Sequence, residues 1–451
     1  MNRRLLGTNP LRRAIRLSYA AAVLWSAGNV LSSGLLLVFL AQDLGANAFE
    51  VGLLQAAPAL FGLLRLGTPA LIARLGSAKL VCLTFSSVAY LLLALVPPVV
   101  FAAGSDTMSP LTMLLVVLCV HQLLEQIGTV ALYTWLGDLV PRRIRGRYFA
   151  RRNILQLAVL IPLLPASGWG VDAWERSTAL APGTAHAAAI GVGTLFLLAA
   201  LVPLSRMPAA IGRRRSQASH AAPPRKATSL RDTLLAPFRS VGSRRFLFYN
   251  CWFSFFNGLF STPQNIYPRG VLKLGLGPMN GMQTAMRLGQ IGVSAWAGPV
   301  SDRRGNRPVL IVCQLLVGVA PLFYFLASPA SPYWLTGAWL LWSAYAGINI
   351  CLPNLTMKLA PHGDHAPHLA AFQALSSLFL TVGTVGGGYL FDRLRGVPLV
   401  LFEIPIDRFA AAFVLAAVFR TAGVLWLAGV PEPGLPSASA SREGGYGDRR
   451  G

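Results

Sequence analysis

Long apolar runs, each separated from the next by a polar stretch, dominate the pattern of hydrophobic and polar positions along the chain. An α-helix needs about 20 such residues to cross a bilayer. Twelve runs are long enough, in two groups of six. The first group lies near 17–41, 48–72, 80–103, 111–137, 153–171 and 186–204, and the second near 246–268, 279–300, 309–327, 333–357, 369–391 and 409–430. The pattern predicts an all-α polytopic membrane protein with 12 transmembrane helices.

Three polar segments frame the two groups and set the predicted domain boundaries. A basic tail covers 1–16, a segment rich in arginine and proline covers 205–245, and a tail rich in glycine, serine and proline covers 431–451. These compositions are typical of linkers and disordered segments. We therefore expect six-helix bundles at 17–204 and 246–430, joined by a basic linker and followed by a disordered tail.

Composition agrees with this architecture and excludes several classes of protein. Hydrophobic residues make up 54% of the 451 positions and charged residues only 12%, whereas soluble chains carry about 25% charged residues. A soluble enzyme, a disordered protein and a single-span receptor are excluded. The five cysteines all lie in apolar runs and indicate no disulfide framework.

The net charge of +23 indicates orientation rather than a binding surface. Thirty of the 39 lysines and arginines fall on one side of the predicted helices, six on the other and three within spans. Because basic residues concentrate on the cytoplasmic side, both termini and the linker are predicted to be cytoplasmic. The charge therefore does not point to a nucleic-acid partner.

The two groups of six runs repeat each other. Trp25, Asn29 and Ser33 have the same spacing as three residues of the seventh run, Phe253, Asn257 and Ser261. After the eighth run the chain reads GPVSDRRGNR, at 298–307. The segment that corresponds to it in the first half, 69–76, keeps its arginine and second glycine but has Ala73 where the aspartate stands in the second half.

Twelve spans in two parallel halves, a basic central loop and this loop motif together resemble the major facilitator superfamily. Its signature, Gly-x-x-x-Asp-Arg-x-Gly-x-Arg, is matched at every fixed place by Gly298, Asp302, Arg303, Gly305 and Arg307. The resemblance covers about residues 15–430. It implies two pseudo-symmetric six-helix bundles around a central cavity, with no cofactor.

The same resemblance implies that the first, fourth, seventh and tenth spans line that cavity. An aromatic wall with a few amides would suit a moderately hydrophobic organic solute. For any single asparagine, an interhelical hydrogen bond that only fixes packing is an equally good interpretation. The candidate substrate-binding residues are Trp25, Asn29, Gln122, Gln126, Trp252, Phe253, Asn257, Arg287, Asn349 and Asn354.

Charged residues within spans are the candidates for a mechanism, because a charge at the bilayer centre costs several kcal/mol. Four occur, Arg65, Glu125, Arg287 and Arg420. We expect Glu125, with His121 one helical turn before it, to carry proton coupling. Arg287 at similar depth would be its counter-charge or an anchor for an anionic group, although a static ion pair would explain the same pattern. Arg65 and Arg420 are predicted to be structural.

The cytoplasmic loops supply the candidate gating residues. The resemblance implies that the signature loop faces the basic stretch that begins the fifth span, so Asp302 is predicted to contact Arg147 or Arg151 when the cytoplasmic side closes. Asp138 ends the fourth span and belongs to the same candidate gate. Anchoring of this basic stretch on anionic lipid is the alternative. The nearby group His362, Asp364, His365 and His368 is too loosely spaced for a metal site, and no metal is expected.

The expected function is secondary active transport of a small organic solute by alternating access, coupled to protons, in the inner membrane. No nucleotide-binding Gly-x-x-x-x-Gly-Lys-[Ser/Thr] occurs in the chain, and the extracytoplasmic acids are scattered without an enzyme-like motif. The chain is therefore predicted to be a monomeric transporter and not an enzyme. A drug or metabolite efflux antiporter, and a sensor or assembly factor on the same fold, are the alternatives.

Overall fold

The computed structural model describes residues 10–62, 67–101, 109–141, 144–178, 181, 183–209, 235–360, 365–397, 399–401 and 404–432. Helices account for most of these residues. The chain before 10, most of the predicted linker, the chain after 432 and the candidate charge Arg65 lie outside the described residues. We refer to residues 10–209 as the first half and to residues 235–432 as the second half.

Nine helices make up the described first half. The helices are α1 (Pro10–Ser32), α2 (Leu35–Asp43), α3 (Ala48–Gly62), α4 (Thr68–Leu75), α5 (Ala78–Leu93), α6 (Val96–Phe101), α7 (Pro110–Leu139), α8 (Arg145–Ser177) and α9 (Thr184–Ser205).

The described second half also contains nine α-helices, together with a short antiparallel strand pair that a purely helical prediction did not include. The helices are α10 (Val241–Leu259), α11 (Ser261–Gly270), α12 (Leu276–Arg304), α13 (Asn306–Val319), α14 (Pro321–Leu326), α15 (Trp334–Leu341), α16 (Tyr345–Leu359), α17 (His365–Arg393) and α18 (Arg408–Ala428). The strands are β1 (Leu399–Leu401) and β2 (Ile404–Ile406).

In the part of the chain that the structure describes, nine helices are long and apolar enough to cross a membrane. The other three predicted spans, at 48–72, 246–268 and 279–300, coincide with α3, with α10 and α11, and with α12. These helices are shorter or more polar than the rest, and α3 is followed by four residues outside the description. The structure is thus a multi-pass helical membrane protein, while twelve crossings stay a prediction.

The first predicted span of each half is interrupted at corresponding positions. In the first half the break falls between α1 and α2, where Gly34 has a positive φ of 66°. In the second half it falls at Phe260, between α10 and α11. Ser33 and Ser261, the last members of the repeated spacing, lie at these breaks. The matching interruptions agree with an internal duplication.

The described residues form three hydrophobic cores, of which one contains residues of both halves and two contain residues of one half each. One core joins residues of both halves, from Leu36 and Val51 to Leu276 and Phe391. The two others are each confined to a single half, one around Trp135 and the other built from residues such as Phe246, Cys313 and Leu355. We call the end of the molecule with the shared core the outer end, and the opposite end the inner end. The outer end is the side predicted to be extracytoplasmic.

Two helix pairs hold the halves together at the outer end, α3 with α17 and α8 with α12. Both contacts need glycine, because a Cβ on Gly388 would lie 2.5 Å from the carbonyl oxygen of Ala48. A Cβ on Gly168 would likewise lie 2.7 Å from the carbonyl oxygen of Leu276. Small residues of this kind let helix backbones approach within a membrane.

Candidate functional site

A cavity of about 230 Å³ lies where the second half meets α3 of the first half, and we call it the central cavity. Its wall is mostly polar and aromatic, which distinguishes it from the lipid-facing surface. Helices α10, α11 and α14 to α18 contribute all of the wall except for Gln55 of α3 and Trp342, which lies in a short 3₁₀ turn between α15 and α16. The lining residues are Gln55, Asn257, Ser261, Gln264, Asn265, Tyr324, Trp339, Trp342, Tyr345, Leu380, Thr384 and Arg420.

Arg420 is the charged residue of this wall, although the sequence pattern predicted a structural role for it. Its side chain is 1% exposed. One Nη atom donates to Oε1 of Gln264 at 3.1 Å and to the backbone oxygen of Asn257 at 3.3 Å. No carboxylate pairs with it among the residues that the structure describes. A buried guanidinium with only neutral partners is costly, and in a membrane protein this makes Arg420 a candidate functional residue.

The predicted proton-coupling residues are in contact with each other. His121 Nε2 lies 3.4 Å from a carboxylate oxygen of Glu125, whose side chain is 14% exposed. The other ring nitrogen, Nδ1, lies 2.9 Å from the backbone oxygen of Ala89. Because a carbonyl can only accept, Nδ1 carries a hydrogen, and a neutral ring then has no hydrogen on Nε2. A hydrogen bond between Nε2 and Glu125 therefore needs a second proton on one of the two groups.

Arg287 does not pair with Glu125 in the described part of the structure. Its Nη1 atom instead donates to Oε1 of Gln290 at 3.2 Å, one turn further along α12. Its Nε atom is buried and has no hydrogen-bond partner in the described protein. The predicted ion pair between Glu125 and Arg287 is therefore absent from this conformation, and each charge has a local partner instead.

The other predicted cavity residues are distributed over several environments. Asn257 borders the central cavity, whereas Trp25 borders a separate cavity of about 60 Å³ inside the first half. Trp252 donates from Nε1 to the backbone oxygen of Phe419 at 2.9 Å, and Phe253 is buried. Among described residues, the polar candidates outside the lining of the central cavity are Asn29, Gln122, Gln126, Arg287, Asn349 and Asn354.

Two aspartates close the outer end by capping helices of the opposite half. Asp172 of α8 accepts hydrogen bonds from the backbone nitrogens of Leu276 and Gly277, both at 2.8 Å. Asp392 of α17 accepts from the backbone nitrogens of Ala48 at 3.1 Å and Phe49 at 2.7 Å. A carboxylate at a helix N-terminus satisfies free N–H groups and interacts favourably with the helix dipole. We call this pair of contacts the outer latch.

The prediction that the extracytoplasmic acids are scattered missed this arrangement. Asp172 and Asp392 are 220 positions apart, the offset that also relates Gly168 to Gly388. The helix starts that they cap, Ala48 and Leu276, are 228 positions apart. The second offset is that of Trp25 and Phe253, so comparing polar residues at repeat offsets would have related the two aspartates to each other, although not to their backbone partners.

A charged cluster lies beside the latch and also joins the halves. Arg269 of the second half contacts carboxylate oxygens of Asp43 and, at 3.5 Å, of Glu175. His186 lies between the same two acids, at 3.1 Å from Asp43 and 3.2 Å from Glu175, and its side chain is fully buried. Phe39 stacks under the guanidinium, whose carbon is 4.8 Å from the ring centre. The cluster therefore adds a second inter-half contact at the outer end.

The composition of this cluster also resembles that of a metal site. Ligand atoms of Asp43, Glu175 and His186 lie within 4.8 Å of one another. Arg269 already contacts both carboxylates and supplies the positive charge that a cation would bring.

The histidine group around the start of α17 lies partly outside the described residues, which do not include His362 and Asp364. His368 is buried, and its ring Nε2 lies 3.0 Å from Oγ of Ser243.

At the inner end, the predicted contact of Asp302 with Arg147 or Arg151 is absent among the described residues. All three side chains are exposed. Arg151 lies over the ring of Tyr19 instead, at 5.8 Å from the ring centre, and Asp138 is also exposed. The halves are thus latched at the outer end while these candidate gating residues remain apart at the inner end.

The signature loop is fixed within its own half. Gly305 ends α12 with a positive φ of 91°, a conformation that favours glycine. Glu432 then accepts hydrogen bonds from the backbone nitrogens of Asn306 at 3.1 Å and Arg307 at 2.8 Å. The Arg307 side chain donates to the backbone oxygen of Ala428. Gly298 and Arg303 belong to the last turns of α12.

We expect Glu432→Gln to destabilise this loop in a pH-dependent manner. Burial raises the pKa of Glu432, but hydrogen bonds from Asn306, Arg307 and Lys358 outweigh it, so the net pKa is lowered. The ionised carboxylate therefore stabilises the fold above the pKa of an unfolded glutamate, and this contribution is lost as the pH falls through the lowered value. Loss of a helix cap costs about 0.5–2 kcal/mol.

Thermal unfolding of the purified protein at several pH values would check this expectation. The variant should unfold at a lower temperature than the wild type at pH 7, and the difference should shrink as the pH falls below about 4. A difference that is the same at every pH would mean that the charge of Glu432 is not what stabilises the loop.

Together these features define a class of protein, a multi-pass helical membrane protein of two related halves with a polar cavity where they meet. A family model described as Major Facilitator Superfamily matches residues 17–384. The chain therefore belongs to the Major Facilitator Superfamily. The members that it resembles in structure are transporters. A search of curated protein sequences found no match.

Solved structures of transporters share the fold at low sequence identity. A point mutant of the nucleoside transporter NupG is 11% identical with a TM-score of 0.67, covering 94% of this chain and 100% of that one. The xylose transporter XylE from E. coli, in an inward-open conformation, is 12% identical with a TM-score of 0.63, covering 94% and 97%. A D-xylose-proton symporter is 13% identical with a TM-score of 0.64, covering 94% and 99%.

Proposed function

We propose that this protein is a secondary active transporter that moves a small organic solute across the inner membrane by alternating access, coupled to protons. The observation that carries the proposal is the uneven packing of the halves. They share one hydrophobic core at the outer end and have separate cores at the inner end. Two halves that separate at one end while joined at the other are what a rocking transporter requires.

The outer latch and the charged cluster supply contacts that can break. Hydrogen bonds from helix ends to Asp172 and Asp392 and the ion pair of Arg269 with Asp43 all cross between the halves. Polar contacts of this kind exchange readily for contacts with water once the outer end opens, unlike an interdigitated apolar core. In the opposite conformation we expect Asp302 to reach Arg147 or Arg151 and close the inner end.

Proton coupling is assigned to the contact between His121 and Glu125. The two residues are both titratable, lie 3.4 Å apart, are mostly buried, and occupy the middle of α7. Gain or loss of a proton there changes the charge at the centre of the first half. A structural neighbour, the D-xylose-proton symporter, supports this energy source for the fold. We propose a monomeric transporter without enzymatic activity, cofactor or nucleic-acid partner.

Flux into proteoliposomes tests the proposal. The purified full chain would be reconstituted, a pH gradient imposed, and uptake or efflux followed for labelled sugars, nucleosides and small organic acids. Gradient-dependent movement of at least one solute is the expected result, and its direction separates uptake from efflux. Absence of flux for every solute, with correctly inserted protein, would favour a sensor or assembly factor instead.

We expect Asp172→Asn and Asp392→Asn to loosen the outer end. Each change removes a negative charge from a helix N-terminus, which is worth about 1–2 kcal/mol in a buried setting and shifts an equilibrium by about five- to thirty-fold. A cysteine placed at Ser261, which lines the cavity, should then react faster with a membrane-impermeant maleimide added to the outer side.

Asp407→Asn is the matched control for this experiment, because Asp407 caps α18 within its own half through the backbone nitrogen of Phe409 at 3.1 Å. It should leave the labelling rate unchanged. Equal acceleration in all three variants would mean that loss of any helix cap loosens the protein. No acceleration in the two latch variants would contradict the role of the latch.

A further inference from the structure

The wall of the central cavity has an excess of unpaired hydrogen-bond donors. Buried N–H groups without a partner in the described protein occur on five of its lining residues. None of these groups can accept a hydrogen bond, because guanidinium, amide and indole nitrogens only donate. They are Nε and Nη1 of Arg420, Nε2 of Gln55, Nε2 of Gln264, Nε1 of Trp339 and Nε1 of Trp342.

The side-chain acceptors of the same wall are mostly occupied already. Oε1 of Gln264 accepts from Arg420. Oε1 of Gln55 accepts from Asn265 at 2.8 Å, and Oδ1 of Asn257 accepts from the hydroxyl of Tyr345 at 2.8 Å. The two glutamines of the wall, Gln55 and Gln264, therefore use their amide oxygens internally and leave their amide nitrogens for another group.

The positive charge of Arg420 is held in place rather than neutralised. Gln264 and the backbone oxygen of Asn257 both engage the same Nη2 atom. The Nη1 atom has no partner in the described protein and is left to donate to one oxygen of a carboxylate, a charge-assisted hydrogen bond that is stronger than a neutral one. Turning the amide of a glutamine exchanges its donor for its acceptor. The charge of Arg420 and the indole N–H groups of Trp339 and Trp342 are the same in either orientation.

From this geometry we propose that the cavity binds a small organic monoanion, with its carboxylate on Arg420. One fixed positive charge matches one negative charge, and the free amide and indole donors would satisfy the remaining lone pairs. Tyr324 and the tryptophan rings line the cavity and would pack against the apolar part of the solute. The cavity volume of about 230 Å³ suits a small solute.

This proposal names the substrate class of the transporter proposed above. Transport of the anion rests on that proposed function, whereas binding of the anion does not. It also explains why a charge is buried in the last span. The charge of Arg420, which has only neutral partners in the described protein, would be compensated when an anion occupies the cavity. A neutral sugar or nucleoside would leave that charge uncompensated.

Binding of matched probe pairs to the purified full chain tests the proposal. Each carboxylate probe is compared with its own neutral amide, and the carboxylates are acetate, lactate, pyruvate, benzoate and phenylacetate. Binding is measured by the thermal shift of the protein and by its tryptophan fluorescence. We expect at least one carboxylate to bind with its amide about tenfold or more weaker, since hydrogen bonds to a charged partner are worth that much. Arg420→Gln should remove the preference for the acid over the amide.

Two further variants keep the test decisive. Arg408→Gln makes the same change at the start of the same helix, outside the cavity lining, and should keep the preference for the acid. If Arg420→Gln does not fold, Trp342→Phe removes one donor, keeps an aromatic ring, and should weaken carboxylate binding several-fold. Equal binding of acids and amides, unchanged preference in Arg420→Gln, or no carboxylate binder in the panel would overturn the proposal.

Flux measurements separate this inference from the proposed function. If neutral solutes are transported and carboxylates are neither bound nor transported, the anion site is wrong while the transporter stands. If a carboxylate binds in an Arg420-dependent way but no solute crosses the membrane, the anion site stands and transport is wrong.

Discussion

The Glu125→Gln variant is expected to lose proton-driven flux in proteoliposomes while it keeps exchange of solute across the membrane without a pH gradient. The change removes the ionisable carboxyl group of the His121–Glu125 contact but leaves a side chain of the same shape. A coupling free energy between two ligands is typically about 1–3 kcal/mol, so the effect of an imposed pH gradient should fall by about 5- to 150-fold. Flux at varied internal and external pH measures it.

Glu50→Gln is a control for this variant, because Glu50 is an acid near the outer end that bonds locally to Asn47 at 2.8 Å. It should retain the response to the gradient. A Glu125→Gln protein whose flux still follows the pH gradient would rule out this residue as the coupling site. Loss of exchange as well as gradient-driven flux would indicate a packing role.

The Gly387→Leu variant is expected to fail to fold. A Cβ at Gly387 would overlap the backbone oxygen of Leu259, and one at Gly383 would overlap that of Phe255. Backbone atoms of α10 cannot move aside as a flexible side chain can. The cost should reach about 3 kcal/mol or more, the upper end for overpacking. The yield of monodisperse protein in size-exclusion chromatography measures it.

The neighbouring residue supplies a close control. Gly386→Leu makes the same change one position earlier in α17, where a Cβ would meet no described atom within 4 Å. That variant should purify like the wild type. If both variants fold, the close approach of α10 and α17 does not depend on glycine, and if both fail, a leucine in this part of the helix is harmful for another reason.

Hydropathy predicted most of the helices, since nine described helices are long and apolar enough to cross a membrane. It did not predict the breaks at Gly34 and Phe260, because these depend on local backbone geometry inside an apolar run. The hydropathy signal was weak at α12, where polar residues dilute the apolar pattern.

The site was harder to predict than the fold. The contact of His121 with Glu125 followed from their spacing of one helical turn. Arg420 was assigned to structure because its helix was placed outside the central set, and a single sequence does not reveal which face of a helix meets a cavity. Asp172 and Asp392 were missed because their partners are backbone N–H groups, which have no sequence pattern.

Distances between spin labels at the two ends test alternating access most directly. Labels at Ala173 and Arg395 report on the outer end, and labels at Arg74 and Arg304 on the inner end, with the five native cysteines replaced. Pulsed electron paramagnetic resonance would compare the wild type with the Asp172→Asn, Asp392→Asn double variant. We predict a population in which the outer distance lengthens and the inner distance shortens together. Distances that stay unchanged, or that change in the same direction at both ends, would contradict alternating access.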